Sequence, residues 1–571
     1  MLFRRLAWLP ALVFLVPACE GEPIEEEVLD PDGPPPPGGK ADQSGRDWPA
    51  MSALPAACDL EPTFRALFAP DDPTVTLELA LIDKIRAARK ADPAAYSEGK
   101  NPYRIRYAVY NLGHSEIVAR LFAAEKDGVD VQVLIEADQL FQWWNDLPKL
   151  FTAAGLEVVK DYKKIAEASR PTADLVGISE YGLMHLKARL FEMPGWSALL
   201  TGSMNPNQAA GANEENLHLI RDPRLIAQYS AAYDAVYAKK PLANGWQEGA
   251  ALNVLFSPAG SGPRASTKLL EWVDGENEQI LLMVFSFRDL VSPAYPKTLV
   301  QILTAKAAAG VPVYVITDRK QSDGIDLDGK KVATDDKTED KLRQAGVHVY
   351  EAMNTAESLF GARNPYAAMH HKAAVLGRSR LRVITDAANW TLSALGNKTL
   401  TEKNVESMLF IDSAALDGNY TGRRYLAQWL RVLYRYAPQS AMLDRELGAD
   451  EVATRLLAGG TWPNQGVSFV ADKAETQLGE NIFVVGGADA LGRWGQGGAG
   501  LPLTTNPQIY PRWVAERPVG LPLGVRFEWK LVARNGGSAR WEGGDNRVGF
   551  ALPAICRRGD NDAGEQRGEF R

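Results

Sequence analysis

The sequence is poor in cysteine and histidine and has no excess of basic charge. Three cysteines in 571 residues allow one disulfide at most. A formal net charge of −8 argues against a dedicated nucleic-acid binder, although a local basic cleft remains compatible with it. Hydrophobic residues at 46% and charged residues at 23% are typical of a globular protein, and the length predicts two or three domains.

The N-terminal apolar run of 13 residues is shorter than a typical membrane-spanning helix. It reads LAWLPALVFLVPA, follows two arginines and ends at Cys19, as the core of a signal peptide does. A cysteine directly after small residues resembles the lipidation site of bacterial lipoproteins, although Pro17 departs from that pattern. The resemblance implies a signal peptide with a lipobox over residues 1–19 and a lipid on Cys19. Simple secretion is the alternative.

By the same resemblance, Glu20 favours an outer-membrane or cell-surface destination. Residues 20–47 are acidic, rich in proline and glycine, and contain almost nothing to bury, which predicts a linker. Cys58 and Cys556 then remain. The sequence leaves open whether they form a disulfide or stay as two thiols.

The region from residue 48 to 445 repeats the order strand, amphipathic helix, strand. Residues 48–245 contain RIRYAVYNL, HSEIVARLFAAEKDG and VDVQVLIEAD, and residues 246–445 contain EQILLMVFSF, a helix ending LVQILTAKAAAG, and VPVYVITDRK. Alternating strands and helices predict an α/β fold with a largely parallel sheet covered on both faces. Two such copies predict a bilobal pseudo-dimer of two α/β/α sandwich halves with a shared site at the strand ends.

The composition changes beyond residue 465. Tryptophan, glycine and proline become more frequent, and short alternating runs such as NIFVVGG and VRFEWKLVA appear. These features predict a separate all-β sandwich over residues 465–551. Residues 557–571 are charged and are predicted to be a loose tail.

Two of the six histidines fall at matching points of the two halves, each followed by a lysine at i+2. The pairs are His185 with Lys187 in GLMHLKARLFE, and His370 with Lys372 in AAMHHKAAVLG. Residues i and i+2 of a strand point to the same face, so each half presents an imidazole beside an ammonium group. His371 should point to the opposite face, where a packed structural role is expected.

Each half also supplies an asparagine and an N-x-E triplet further along the chain. Asn205 lies 20 residues past the first histidine, and Asn389 lies 19 residues past the second. The triplets are Asn213 with Glu215, and Asn404 with Glu406. As a set, these motifs resemble the HxK…GSxN signature of the phospholipase D superfamily. The resemblance covers about residues 60–440 and includes both copies.

The resemblance implies hydrolysis of a phosphodiester by two histidines. One attacks phosphorus to give a covalent phosphohistidine, and the other protonates the leaving oxygen and then activates water. We expect His185 to be the nucleophile and His370 the acid/base, although the pseudo-symmetry permits the reverse. The groups expected to hold the nonbridging oxygens or fix the imidazole tautomers are Lys187, Lys372, Asn205, Asn389, Glu215 and Glu406. No metal or other cofactor is required, and no cluster in the sequence has zinc or calcium spacing.

The second copy departs from the family pattern. The family has an aspartate five residues after the lysine, where this chain has Glu192 in the first half and Gly377 in the second. Asp386-Ala387 stands where Gly-Ser is usual. Because the histidine, lysine and asparagine remain in both halves, we expect an active but divergent enzyme.

The C-terminal region contains T-x-x-G-E-N, L-G-x-W, Y-P-x-W, F-E-W-K and W-E-x-x-x-N-R in that order. This set resembles a family-20 carbohydrate-binding module, the starch-binding type. Exposed indoles stack on pyranose rings while polar groups bond hydroxyls. By resemblance, Trp494 and Trp541 form one α-glucan platform with Lys530 and Asn546, and Tyr510 and Trp513 contribute to a second. Trp529 alternates within a strand and is expected in the core.

Three functions remain open at this point. The first is an exported phosphodiesterase that acts on phospholipid and is targeted to α-glucan such as starch or glycogen. The second is the same fold acting on nucleic acid or on a phosphorylated glycan, of which the acidic composition makes nucleic acid the weaker candidate. The third is a non-catalytic surface glucan-binding protein on a divergent scaffold. The chain is expected to be a monomer attached to the membrane through its N-terminal lipid.

Overall fold

The structure is a computed structural model that describes residues 59–97, 99–140, 145–153, 155, 158–159, 175–179, 181–207, 210–211, 213–324, 337–352, 368–395, 404–457, 464–522, 525–551 and 564–570. The predicted signal peptide, the predicted linker and all three cysteines, Cys19, Cys58 and Cys556, lie outside the described residues. In the described part of the chain, no helix combines the length and apolarity needed to cross a bilayer.

The first half is built on an eight-stranded sheet with the order β1-β8-β7-β6-β2-β3-β5-β4. Its strands are β1 (Phe64–Ala69), β2 (Arg104–Val109), β3 (Asp130–Glu136), β4 (Val158–Val159), β5 (Leu175–Ile178), β6 (Lys187–Met193), β7 (Trp196–Gly202) and β8 (Glu215–Ile220). Its helices are Thr74–Ala91, Ser115–Lys126, Ala137–Leu140, Leu147–Ala153 and Pro223–Tyr237.

The second half has a seven-stranded sheet with the order β10-β17-β16-β15-β12-β13-β14. The next strands along the chain are β9 (Leu242–Ala243), β10 (Leu252–Ser257), β11 (Ala259–Ser261), β12 (Ile280–Val284), β13 (Val313–Asp318), β14 (His348–Ala352), β15 (Lys372–Leu376), β16 (Arg382–Asp386) and β17 (Glu406–Asp412), of which β9 and β11 form a separate pair. The helices are Ala265–Asp274, Leu299–Ala308, Arg319–Ser322, Thr338–Gln344, Leu392–Leu395, Ser413–Asp417, Tyr420–Asp444 and Ala449–Leu457.

The matching strand orders confirm the predicted pair of α/β halves, but the prediction of a largely parallel sheet is wrong. In both halves only the strands on one side of the HxK strand run parallel, such as β2 with β3 and β12 with β13. The HxK strand instead pairs antiparallel on both sides. The reason is that a tight hairpin, rather than a helical crossover, joins the HxK strand to the next one.

Local sequence explains where key helices begin. The crossover helix Leu299–Ala308 has a capping box, in which the hydroxyl of Thr298 accepts the Gln301 N–H at 3.2 Å and the Gln301 side chain accepts the Thr298 N–H at 3.0 Å. Helix Pro223–Tyr237 is capped by Asp222, with proline at its first position. One buried apolar cluster continues from the first half into the second and packs their sheets together.

The C-terminal domain is a sandwich of two sheets, as predicted. Its strands are β18 (Asn464–Asp472), β19 (Asn481–Gly486), β20 (Leu501–Pro502), β21 (Trp513–Val514), β22 (Val519–Pro522), β23 (Arg526–Asn535), β24 (Ser538–Trp541), β25 (Arg547–Phe550) and β26 (Gly564–Glu569), with 3₁₀ helices at Asp489–Leu491 and Arg493–Gly498. The predicted loose tail needs correction, because β26 pairs parallel with β18 and extends its sheet. Trp529 lies in the core between the sheets, as expected from its alternation.

The sandwich packs on the long helix Tyr420–Asp444 of the second half. Phe550 joins the apolar cluster that both halves share, and the Arg431 guanidinium lies 5.0 Å from the Phe550 ring centroid. The Arg526 guanidinium lies 4.4 Å from the ring centroid of Tyr434. Such cation–π contacts add to the apolar burial, so the domain is docked on this helix rather than only tethered to it.

Candidate active site between the two halves

The two HxK segments are held by the opposite halves of the chain. Met184 forms a parallel bridge with Val405, and the His185 N–H donates to the Val405 carbonyl at 3.0 Å. Reciprocally, the His370 N–H donates to the Glu214 carbonyl at 2.9 Å. Each HxK segment therefore lies against the N-x-E triplet of the other half, and the pseudo-twofold axis runs between them.

This exchange determines the carboxylate partner of each imidazole. His185 Nδ1 lies 2.8 Å from Glu406 Oε2, and His370 Nδ1 lies 2.5 Å from Glu215 Oε1. All four side chains are at most 2% exposed. A carboxylate on Nδ1 fixes the Nδ1–H tautomer and leaves Nε2 for chemistry. The sequence identified both glutamates but contained no signal for their exchange between halves.

The two lysines begin strands β6 and β15, and the ammonium group of each lies close to its own histidine. Lys187 Nζ lies 2.8 Å from His185 Nε2 and 5.6 Å from the Tyr110 ring centroid. Lys372 Nζ donates to the His370 carbonyl at 3.1 Å and lies 4.9 Å from the Phe285 ring centroid. The same rings pack edge-on against the histidines, so each imidazole has one aromatic wall. The site is therefore symmetric in residue type.

The two predicted asparagines are buried with unused hydrogen-bonding capacity. Asn205 is 1% exposed, and neither its amide nitrogen nor its oxygen has a hydrogen-bond partner among the described residues. Asn389 is 4% exposed, and within the described chain its side-chain oxygen likewise has none. Buried amides are normally satisfied, so these groups have capacity for a ligand.

The missing carboxylate at Gly377 has a structural cause. In the first half, Glu192 pairs with Arg104 at 3.1 Å and with Arg106 at 3.0 Å. Strand β15 ends one residue before Gly377, whose φ is +87° and whose added Cβ would lie 2.4 Å from the Arg380 carbonyl oxygen. No aspartate fits there.

Glu276 provides a carboxylate at this hairpin of the second half. Its Oε2 lies 3.5 Å from where a Cβ on Gly377 would be, and it pairs with Arg382 at 3.1 Å. The hairpin therefore has a partly buried carboxylate–arginine pair, whose carboxylate comes from another segment of the chain.

Asp386, which replaces the usual glycine, links the two halves. Thr201 donates to its carboxylate at 2.8 Å, and the Tyr229 hydroxyl donates to the other oxygen. Burial is the largest effect on this group and raises the pKa of Asp386 to about 6. Half 1 requires Gly202 at the equivalent position, because an added Cβ would meet the Asn216 carbonyl oxygen at 2.3 Å.

Two further acids at the edge of the site were missed by the sequence analysis. Glu136 ends β3 and accepts the Met184 N–H, next to His185, at 2.6 Å. Asp318 ends β13 and accepts the Gln321 N–H at 3.1 Å. Burial raises the pKa of each carboxyl group to about 7. The sequence does contain a signal for both residues, because each is an acidic residue at the end of the second strand of its repeat.

The remaining histidines lie outside the HxK pairs, and His371 is packed in the interior, on the opposite side of its strand from His370. His371 is fully buried, His218 lies 5.5 Å from the Phe64 ring, and His348 pairs with Glu446 at 2.6 Å. Burial lowers the pKa of His114 and lowers that of His218 to about 3. Separately, Asp323, Glu339 and Glu351 bring ligand oxygens within 4.8 Å of one another, but Glu351 already pairs with Arg343 at 3.0 Å.

The C-terminal domain brings most of the predicted glucan-contacting residues onto one surface. Trp541 is 45% exposed, and Lys530 donates at 2.6 Å to the carbonyl of Gly544, in the loop that leads to Asn546. Asn546 donates to Glu528 at 2.8 Å. Glu528 and the half-buried Trp494 line one open cleft of about 550 Å³. Glu528 therefore connects Trp494 with Asn546.

The predicted second platform needs one correction. Tyr510 is 45% exposed and accepts the Thr476 N–H through its hydroxyl at 3.2 Å. Trp513, however, is 6% exposed, packs between the two sheets and donates its indole N–H to the Ala474 carbonyl at 3.1 Å. Its position on β21 turns the ring inward, so Trp513 offers no open face for a sugar ring.

Comparison with known families agrees with this architecture. A family described as "Cardiolipin synthase, PLD-like domain" matches residues 99–237 and 274–423, which make up about half of the chain and include both HxK motifs. A "Starch binding domain" family matches residues 465–559. The chain therefore belongs to the phospholipase D-like family and carries a C-terminal starch-binding domain.

Individual relatives match the chain in parts. The cyclomaltodextrin glucanotransferase of Bacillus licheniformis is 40% identical over 89 residues, which are 15% of this chain and 12% of that protein. That of Niallia circulans is 36% identical over 90 residues, again 15% of this chain and 12% of the relative. The chain thus spans only a small fraction of the length of these curated relatives.

Solved structures resemble either the N-terminal halves or the C-terminal domain. Phosphatidylserine synthase from Haemophilus influenzae is 11% identical with a TM-score of 0.42, over 68% of this chain and 89% of that one. A phospholipase D family member from Salmonella typhimurium is 19% identical with a TM-score of 0.22, over 32% and 91%. The family 20 module of a maltotetraose-forming amylase from Pseudomonas saccharophila is 28% identical with a TM-score of 0.15, over 18% and 99%.

Proposed function

We propose that this protein is an exported phosphodiesterase that works through a phosphohistidine intermediate and is targeted to α-glucan. The observation that carries the proposal is the reciprocal pairing of His185 with Glu406 and of His370 with Glu215 across the halves. Two tautomer-fixed imidazoles with a lysine beside each form a complete set for displacement at phosphorus.

The contact between Lys187 and His185 supports His185 as the nucleophile. Its Nδ1 is committed to Glu406, and the ammonium of Lys187 donates to Nε2, which requires a lone pair there and hence a neutral ring. A neutral imidazole is the form that can attack. Both lysines also donate to the main-chain carbonyl of their histidine, Lys187 at 3.4 Å and Lys372 at 3.1 Å.

The reaction has two balanced steps. In the first, the lone pair of His185 Nε2 forms a bond to phosphorus while the bond to the leaving oxygen breaks, and that oxygen takes a proton from His370. In the second, His370 accepts a proton from water, the water oxygen bonds to phosphorus, and the phosphorus–nitrogen electrons return to His185. The products are a phosphomonoester and an alcohol.

In the proposed complex, the nonbridging oxygens of the phosphate are held by two ammonium groups and two side-chain amides, those of Lys187, Lys372, Asn205 and Asn389. When a phosphate enters, Lys187 exchanges its contact with His185 for a phosphate oxygen, which releases the attacking lone pair. The two ammonium groups supply the positive charge that a metal ion would otherwise bring to the phosphate, so the proposed mechanism uses no metal.

Phospholipid is the substrate class that we propose, with the N-terminal lipid anchor on Cys19 holding the enzyme at an outer-membrane or cell surface. The acidic net charge of −8 disfavours nucleic acid, and a phosphorylated glycan is the alternative that the starch-binding domain favours. The protein acts as a monomer, because one chain supplies both HxK motifs.

The catalytic proposal is tested with bis(p-nitrophenyl) phosphate and with labelled phosphatidylcholine, single-stranded DNA and glycogen phosphate. Wild type should hydrolyse the generic diester and one of the natural substrates. His185→Ala should lower turnover at least about a thousandfold, because the nucleophile is lost, and His370→Ala about a hundredfold or more on phosphatidylcholine. Equal rates in wild type and both variants would leave a non-catalytic glucan-binding protein as the better account.

The glucan proposal is tested by retention of the full chain on amylose. Trp541→Ala should lower retention at least about tenfold, because an indole face that stacks on a sugar ring is lost. Trp513→Phe is the matched control and should bind like wild type, since the Trp513 ring is buried. No retention of wild type would rule out α-glucan as the ligand.

A further inference from the structure

The residue in the middle of each motif differs between the two halves. The first HxK motif has Leu186 in the middle and the triplet that supports it has Val405 in the middle, and both side chains are apolar and buried. The second motif has His371 and its supporting triplet has Glu214, which are equally buried. An apolar pair in one half is thus replaced by a polar pair in the other.

A third position follows the same pattern. Tyr229 and Tyr425 occupy equivalent positions in the two halves. The Tyr229 hydroxyl lies 3.4 Å from the hydroxyl of Thr201, which precedes Gly202, and the Tyr425 hydroxyl lies 3.3 Å from that of Thr385, which precedes Asp386. Three residues further along each helix lie Ala232 and Gln428, both buried. The apolar trio is therefore Leu186, Val405 and Ala232, and its polar counterpart, named here the backing cluster, is His371, Glu214 and Gln428.

Gln428 joins the other two members of the backing cluster. Its amide nitrogen lies 3.0 Å from Glu214 Oε2 and 3.0 Å from His371 Nε2. The orientation of the amide is set by Arg431, which donates to the Gln428 oxygen at 3.0 Å. Both amide hydrogens are therefore used, and His371 must accept at Nε2 and carry its proton on Nδ1.

The long helix Tyr420–Asp444 anchors the backing cluster. Arg435 pairs with the remaining Glu214 oxygen and with Asp71 at 2.8 Å. Arg431 also pairs with Asp71 at 2.8 Å, and its guanidinium lies against Phe550 of the starch-binding domain. Removing one partner from such a buried network is costly, because the other partner keeps its desolvated charge or dipole.

The backing cluster also reaches the His370 segment through the main chain. The Glu214 N–H donates to the Ala368 carbonyl at 2.9 Å, and the Glu214 carbonyl accepts the His370 N–H at 2.9 Å. The next residue, Glu215, holds His370 Nδ1. A shift of the Glu214 side chain would therefore displace both the main chain and the carboxylate that hold His370.

We propose that His371, Glu214 and Gln428 are positioning residues that hold His370 for the water-activating step, a role that has no counterpart behind His185. This inference rests on the proposed function. The hydrolytic step needs a base placed against a mobile water, and a misplacement of about 1 Å can lower such a rate about a hundredfold. Formation of the phosphoenzyme from a diester with a good leaving group depends instead on His185.

The neutral state of His371 fits this role. Burial, with the charges of His370, Lys372, Arg435 and Arg431 around it, holds the pKa of His371 well below its usual range. The facing carboxylate is that of Glu214, already paired with Arg435. His371 thus acts as a fixed dipole and adds no titrating charge beside His370.

The test uses bis(p-nitrophenyl) phosphate, whose leaving group needs no proton, and follows the p-nitrophenolate burst and the steady state. In Gln428→Ala, kcat/KM and the burst amplitude should stay within about twofold of wild type, while kcat falls about tenfold or more. A triple variant with the apolar residues of the first half should also keep kcat/KM and the burst amplitude but lose kcat; it combines His371→Leu, Glu214→Val and Gln428→Ala. Gln279→Ala, the same change at the buried glutamine that precedes β12 and accepts from Arg378, should leave kcat unchanged.

An equal fall of burst and steady state, or no change in either, would overturn the positioning role. The nitrogen NMR spectrum of the full chain, which has six histidines, gives a second readout that needs no activity. His371 should show the neutral Nδ1–H tautomer from pH 5 to 8 in wild type and lose it in Gln428→Ala. A titrating His371 would overturn the inference alone, whereas a fixed His371 in a wild type without turnover would overturn the proposed function.

Discussion

Asp386 stands where the first half has glycine, and its carboxyl group crosses to the other half. It meets hydroxyl groups of Thr201 and Tyr229 in full burial. Its backbone has a φ of +111°, which costs about 1–3 kcal/mol for a residue with a Cβ. The side chain of Asp386 must therefore offset this backbone strain, and its contacts with the two hydroxyl groups do so.

This environment predicts a pH effect on stability. The pKa of Asp386 rises to about 6 in the folded protein from an ordinary value of 3.8, so between these values the folded state binds more protons than the unfolded state. The free energy of unfolding contributed by Asp386 therefore falls as pH rises through that window, by about 3 kcal/mol at most. Asp386→Asn should remove this fall, as measured by urea unfolding at pH 4.5, 5.5 and 7.

Asp274 provides a control with a pKa shift of opposite sign. Its pairing with Lys297 lowers the pKa of Asp274 from an ordinary value of 3.8, so its contribution to stability is lost only as pH falls below that value. Asp274→Asn should therefore lower stability about equally at pH 4.5, 5.5 and 7 and leave the slope unchanged. If Asp386→Asn kept the wild-type slope, the Asp386 carboxyl would not be the group that takes up the proton on folding.

Residue types that carry chemistry were readable from the sequence because they recur at fixed spacing. His185 and His370 stand out through the duplication, whereas the roles of the two glutamates follow from the resemblance to the phospholipase D superfamily. Trp513 was misassigned because a tryptophan in a short strand looks the same whether its ring faces the core or a ligand. The direction of that ring is set by the pairing of β21 with β18, which no local pattern encodes.

At the scale of elements, the two HxK hairpins differ in length and in turn. The β6–β7 turn contains Gly195 at a φ of +73° with open space around it. The β15–β16 turn contains Gly377 at a φ of +87°, with the Arg380 carbonyl oxygen 2.4 Å from where a Cβ would lie. The shorter second hairpin explains why the family's aspartate is absent there.

The two turns make a matched pair for mutation. Gly195→Ala should lower the free energy of unfolding by about 1 kcal/mol, from the left-handed backbone alone. Gly377→Ala should lower it by about 2 kcal/mol more, because the Cβ must also displace a main-chain carbonyl. Chemical unfolding of both variants checks the difference. Equal losses would contradict the steric explanation for the missing aspartate.

Strand and helix types were predictable at this scale, but strand direction was not. Alternation of β2, helix and β3 correctly predicted a parallel pair. The direction of β7 relative to β6 could not be predicted in this way, because an apolar strand can be followed by either a hairpin or a helical crossover. Only the Pro194-Gly195 turn between them signalled the reversal.

For the whole molecule, each half is incomplete without the other. Each histidine takes its main-chain support and its carboxylate from the opposite half. The helix that backs His370 also receives the starch-binding domain through Phe550 and Tyr434. Duplication in the sequence predicted two halves, but the exchange of partners between them follows from long-range packing that spacing does not report.

We propose that His185 forms the covalent intermediate and that His370 activates the water that hydrolyses it. The most direct measurement is the p-nitrophenolate burst of His370→Ala with bis(p-nitrophenyl) phosphate, followed by alkaline quench and mass spectrometry of the peptide that contains His185. We expect a burst of about one equivalent per chain, followed by very slow turnover, with the phosphoryl ester on His185 and no burst in His185→Ala. A burst in His185→Ala with the label on His370, or steady turnover without any labelled histidine, would contradict it.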